Sequence, residues 1–140
     1  MKSVLTALLL SISLVFCSGM TSYAQDFETG AKAYKTGDYA NAFKEWIVLA
    51  EQGDVTAQLL IGLMFEKGQG VAKDDEQAFN WLHKAAKQGD AKAQFRIGTT
   101  YMGRSDIKKA RYWLGRSARQ GNELAAKALG SLSRIEKMFE

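Results

Sequence analysis

The side chains able to do chemistry are few, and they do not converge. His83 is the one histidine of the chain. It falls among Asn80, Lys84 and Lys87, with no cysteine or carboxylate cluster at ligand spacing, so neither a metal site nor a nucleophilic triad is expected. Cys17 is the one cysteine and stands in an apolar leader, which leaves the rest of the chain without a thiolate or a disulfide. Gly68-Gln69-Gly70 has the composition of an anion-binding loop. Such loops, however, follow a strand and run through a longer glycine pattern, often to a lysine and a hydroxyl, and none of that surrounds it. The loop therefore reads as a turn between helices, with Asp74 or Asp75 capping the next one. No catalytic residue, cofactor or metal is expected, and the chain does not read as an enzyme.

Binding has better candidates. Lys92, Phe95, Thr99 and Met102 are spaced three, four and three, so a helix would place them on one face. Thr56, Leu59, Leu63 and Glu66 stand 36 residues earlier at the same spacing. Leu59, Leu63, Phe95 and Met102 would form an apolar strip. It is either a contact surface for another molecule or, if the helices close over it, ordinary core. Lys127 and Arg134 lie further on and suit an acidic end of a ligand. The expected partner is a protein or peptide segment. Lys108, Lys109, Arg111, Arg116 and Arg119 crowd one stretch, but their spacing spreads them over more than one helix face and no base-reading motif accompanies them, so nucleic acid is not expected.

These residues need helices to hold them. Gly37-Asp38, Gly53-Asp54, Gly89-Asp90 and Gly121-Asn122 each pair a residue that closes one helix with a side chain that caps the next. Between these marks helices are predicted at Asp26 to Thr36, Asp38 to Gln52, Asp54 to Lys67, Asp74 to Gln88, Asp90 to Met102, Asp106 to Gln120 and Asn122 to Met138. Proline is absent throughout, so glycine punctuates the chain. The short turns make consecutive helices antiparallel neighbours.

The pattern also repeats. Ala57, Ile61, Gly62 and Phe65 return as Ala93, Ile97, Gly98 and Tyr101, and the first three return as Ala125, Leu129 and Gly130, at offsets of 36 and 32 residues. Second helices repeat as well: Ala78, Trp81, Leu82, Ala85 and Ala86 answer Ala110, Trp113, Leu114 and Ala118. Trp46 lines up with Leu82 and Leu114 rather than with the other tryptophans, so the first unit is slightly out of pattern. Glycine inside a helix costs about 1 kcal/mol against alanine, so Gly62, Gly98 and Gly130 are each expected to permit a close helix approach.

The stretch Ala57-Gln58, Ile61-Gly62, Phe65, Lys67 to Val71, Lys73-Asp74, Ala78, Trp81, Lys84-Ala85-Ala86, Gln88-Gly89, with its restart at Ala93-Gln94, resembles the Sel-1-like repeat family, a relative of the tetratricopeptide repeat. The resemblance runs from about Phe27 to Gly130. It implies an all-α superhelical solenoid of about three helix-turn-helix repeats plus a closing helix. It also implies a right-handed superhelix whose concave side, lined by the first helix of each pair, binds a protein or peptide, and it carries no shared catalytic residues. Members commonly serve as adaptors, including in the bacterial envelope. Some secreted members pin each pair with a disulfide. The missing cysteines exclude that subgroup, and its activities are not carried over.

Lys2, the apolar run Val4 to Phe16 and the small residues Ser22 and Ala24 read as a cleavable export signal over residues 1–24, followed by a repeat domain over 26–138. A membrane-spanning helix needs about 20 apolar residues. Ser11 and Ser13 interrupt a run already too short for one. Lipid attachment at Cys17 is disfavoured because bulky Phe16 stands where a lipobox wants a small residue. A periplasmic or secreted bacterial protein is expected, its oligomeric state left open. Residues 25–75 carry net charge −4 and residues 76–140 carry +7. That asymmetry keeps an alternative in view: a small envelope enzyme or wall-associated factor that holds an anionic polymer with its basic half.

Overall fold

From residue 38 onward each helix begins beside a side chain that closes its open end. The computed structural model describes residue 24 and residues 26–138, so the expected export segment, apart from Ala24, lies outside the described residues, as does Cys17. Helix α1 covers residues 26–35. It is followed by α2 (Tyr39–Glu51), α3 (Val55–Lys67), α4 (Asp75–Lys87), α5 (Ala91–Gly103), α6 (Ile107–Arg119) and α7 (Glu123–Lys137). No strand occurs among the described residues.

Asp54, Asp90 and Asn122 accept from the backbone N–H groups of Ala57, Ala93 and Ala125 at 2.6, 2.7 and 3.1 Å. Asp38 and Asp106 do the same for Asn41 and Lys109. Asp74 takes Glu76 and Gln77 together, whereas Asp75 turns to Lys73 instead. Each cap satisfies a backbone donor that the helix itself leaves open. At the other ends Gly37, Gly53, Gly89 and Gly121 sit at φ between 82° and 108°, where a side chain is strained. Ser105 holds the equivalent place before Asp106 at φ 59° without being glycine.

Successive helices pack on one another, and α5 also reaches α7 across the intervening helix. The interior is a chain of three clusters. Ala42, Trp46, Leu49, Ala57, Ile61 and Met64 form the first. Leu82, Ala85, Ala86, Ala93 and Ile97 continue it, and Ala110, Leu114, Ala125 and Leu132 close it. Small residues at the crossings let backbones approach while large ones fill the space beside them.

The approach is closest at the helical glycines. A Cβ on Gly62 would lie 2.7 Å from Leu82 Cγ, and one on Gly98 would lie 2.7 Å from Leu114 Cγ. Gly30 of α1 makes the same notch for Trp46, whose indole overlaps the space a side chain would need. Trp46 thus takes the place that Leu82 and Leu114 take in the later pairs, as its alignment implied: it fills the first notch with a larger group and donates its Nε1–H to the Phe27 carbonyl at 3.2 Å. Gly130 departs from the expectation. Among the described residues no heavy atom lies within 4 Å of its Cβ position.

Candidate protein-binding groove

The first helices of the pairs, α3, α5 and α7, present the residues singled out for binding. Leu59, Leu63, Lys92, Phe95, Arg96, Asn122 and Leu124 line an open groove of about 310 Å³ that runs from α3 across α5 to the start of α7. Leu59 forms its floor at 7% exposure and belongs to the core, which is the second of the two readings that spacing left open for it. Leu63 and Phe95 are half-buried, and Lys92 is exposed at the edge. Leu124 adds 60% exposed apolar surface that the sequence pattern had not marked. It follows Thr56 and Lys92 in register, and only the change of residue type made it hard to see.

The remaining candidates separate. Glu66 and Thr99 line a second cavity of about 180 Å³ with Asp75, Phe79, Arg96 and Thr100, on the side of α5 that faces α4. Met102 packs into the C-terminal cluster beside Phe95, Ile107 and Leu129 rather than lining the groove. Lys127 and Arg134 are exposed on α7. The four apolar positions of the expected strip are thus split between groove, floor and core, since equal helical spacing fixes direction but not depth.

Arg96 joins the two cavities. Its Nη1 donates to Glu66 Oε1 at 3.1 Å, while Glu66 Oε2 is buried without a protein partner among the described residues. The pair is partly exposed, with side-chain exposures of 43% and 38%, so its contribution to stability is small, well under about 1 kcal/mol. Its effect on the groove is to place a guanidinium beside Leu63 and Phe95 with a single carboxylate set against it.

Two features that escaped spacing arguments hold this surface in place. Gln58 and Gln94 are buried on α3 and α5, and each donates its side-chain amide to the end of the preceding helix, at the carbonyls of Ala50 and Ala86. Gln88 and Gln120, which directly follow α4 and α6, donate in turn to Gln58 and Gln94 at 2.8 Å. The signal was present in the repeated Ala-Gln and Gln-Gly pairs. The second feature is the long loop at Gly68 to Val71, which tucks Gly70 against the Tyr39 carbonyl and lets Tyr34 donate to Gln69 Oε1 at 3.0 Å. It braces the first pair and is no phosphate cradle.

His83 is not simply on a solvated face. It stacks on Phe79 at 5.6 Å and meets Trp113 edge-on, and its imidazole is held below the ordinary range by burial and then by Lys87. That is a packing role.

The Sel1 repeat model matches residues 55–90 and 91–122, which are the helix pairs α3–α4 and α5–α6. This chain carries two Sel1 repeats. A Sel1 repeat protein from Oxalobacter formigenes superposes with a TM-score of 0.71 at 35% identity, covering 76% of this chain and 45% of that one. Chitin synthase regulatory factor 4 of Schizosaccharomyces pombe is 30% identical over 84 residues, 59% of this chain and 13% of its own length. An exopolysaccharide production negative regulator of Rhizobium leguminosarum is 35% identical over 63 residues, 45% of this chain and 24% of its length. This Sel1 chain thus spans less than a quarter of either curated relative, and what is shared is the repeat scaffold, a framework for protein interaction. Among the described residues of the Sel1 chain, no helix is long and apolar enough to cross a membrane.

Proposed function

We propose that this Sel1 chain is an exported, non-catalytic adaptor that binds a protein or peptide segment along the concave side formed by its first helices. The groove across α3, α5 and α7 is the observation that carries the proposal. Its apolar floor of Leu59, Leu63, Phe95 and Leu124 suits one or two buried anchor side chains, the usual source of affinity at such surfaces. Lys92 and Arg96 flank it, and Lys127 and Arg134 lie further along α7, so the partner segment is acidic as well as apolar. The names of the relatives as regulators, and their much greater length, support a role in which these repeats connect other components. The expected export signal supports a periplasmic or secreted site of action.

The test follows from the depth of each residue. The chain lacking residues 1–24 is used to recover partners from envelope extract, and the same capture is repeated with Leu63→Asp, at a half-buried position beside the core, and with Lys92→Glu, at an exposed one. Loss of one partner with helical circular dichroism unchanged supports the groove. Undiminished capture by both variants removes it. N-terminal sequencing of the natural protein checks export separately, with a start at Gln25 expected.

A further inference from the structure

The second helices form the opposite side of the molecule, and their exposed positions change chemistry from one pair to the next. In register along α2, α4 and α6 stand Lys44, Asn80 and Tyr112, then Val48, Lys84 and Arg116, then Glu51, Lys87 and Arg119. A crest of mixed charge in the first pair, with Lys44, Val48 and Glu51, becomes a basic one in the third. Helix α6 has no acidic residue from Ile107 to Arg119, and Lys108, Tyr112, Arg116 and Arg119 follow one another by four, four and three on a single face. The nearest carboxylate, Asp106, is engaged by Lys109 at 3.0 Å.

Rings hold these cations in place. Arg104 lies 4.7 Å above Phe79, which stacks on His83, which meets Trp113. Arg116 sits 5.7 Å from Trp113 and 5.8 Å from Tyr112, and its Nη1 donates to the Tyr112 hydroxyl oxygen at 3.2 Å. On α4, Lys84 covers Trp81 at 3.8 Å. A guanidinium laid along an aromatic surface keeps its remaining N–H groups turned to solvent in a fixed plane suited to carboxylates. Tyr112, at 55% exposure, is the most exposed ring among the described residues.

We propose that this face of α4 and α6 is a second interaction surface, separate from the groove, and that it takes a linear glycan bearing carboxylates. Lys84, Lys87, Arg116 and Arg119 meet the acid groups, and Tyr112 offers its ring to the C–H face of one sugar, which is drawn to the negative face of the π system. A bilayer is a poorer match because the α6 crest carries no aliphatic side chain to enter it. Single-stranded nucleic acid is also poorer, since it needs a series of exposed rings, whereas Trp81 and Trp113 are buried at 9% and 7% exposure.

The test measures binding of polygalacturonate by titration calorimetry at low salt, with neutral dextran, phosphatidylglycerol vesicles and an oligothymidylate as comparisons. Saturable binding to polygalacturonate alone is expected, weakening about tenfold or more in the R116A/R119A double variant and about threefold in Tyr112→Ala, with added salt acting in the same direction. Leu63→Asp in the groove should leave it unchanged, which separates this surface from the adaptor site. The proposal is overturned by absence of polygalacturonate binding, by equal binding of dextran, by tighter binding to vesicles or oligonucleotide, or by a Tyr112→Ala variant as strong as the parent.

Discussion

Gly98 and Gly130 occupy the same place in successive repeats, yet one is packed against Leu114 and the other faces open space. The repeated sequence sets the register of both, but a glycine notch does structural work only where a following helix enters it. Gly62 takes Leu82 and Gly30 takes Trp46, so the notch is used three times and then left open. The α7 unit differs in other ways too: Ala126 stands in the register of the buried glutamines, and Ser133 in that of Phe65 and Tyr101.

Alanine at the two glycines separates the cases. Gly98→Ala should lower stability by about 2 kcal/mol in urea unfolding, since its Cβ meets both the Leu114 side chain and the Leu114 backbone nitrogen at 3.0 Å. Gly130→Ala should do the opposite and raise stability by up to about 1 kcal/mol through helix propensity alone. Equal effects of one sign would show that the two sites do not differ as described.

Gln94→Ala should cost about 1–2 kcal/mol, because it removes a buried side chain and its two hydrogen bonds, while the Ala86 carbonyl still accepts from the Gly89 N–H and the Gln120 amide still donates to the Gly89 carbonyl. Ala126→Gln, its exposed counterpart, should change the unfolding midpoint hardly at all. A smaller gain is expected from Ser105→Gly, about 1 kcal/mol, since Ser105 holds a left-handed backbone that glycine holds at the other junctions. A midpoint unchanged by that substitution would show that the turn is unstrained.

The smallest effect concerns pH. The imidazole of His83 is depressed in the folded protein by burial and by Lys87, so the unfolded chain takes up its proton first as pH falls. The contribution is full above the ordinary histidine value of 6.5 and is lost as pH drops through the lower folded value. Thermal unfolding between pH 7 and 5 should show a decline that His83→Phe removes, distinct from the carboxylate range below it.

Helix limits were legible because glycine and aspartate are read locally: every boundary inferred from the Gly-Asp and Gly-Asn pairs lies within a residue or two of the structural one. The apolar register was legible for the same reason, since Ala57, Ile61, Ala93 and Ile97 are all fully buried. Depth was not. Leu59 and Leu63 share a face by spacing, but whether a residue is floor or wall depends on how far the neighbouring helix leans over it. Met102 likewise turned inward because α6 and α7 close over the end of α5. The glutamine ladder stayed hidden because its bonds join residues 30 and 26 apart, a distance at which composition carries no geometry.

The groove is most directly tested by placing a photo-crosslinking residue at position 63 or 95 on one side, and at position 48 on the other, in the natural protein in its own cells. Covalent adducts with one common partner are expected from 63 and 95, and none of that partner from 48. Adducts to that partner from 48 alone would contradict the assignment of the first-helix side as the binding surface.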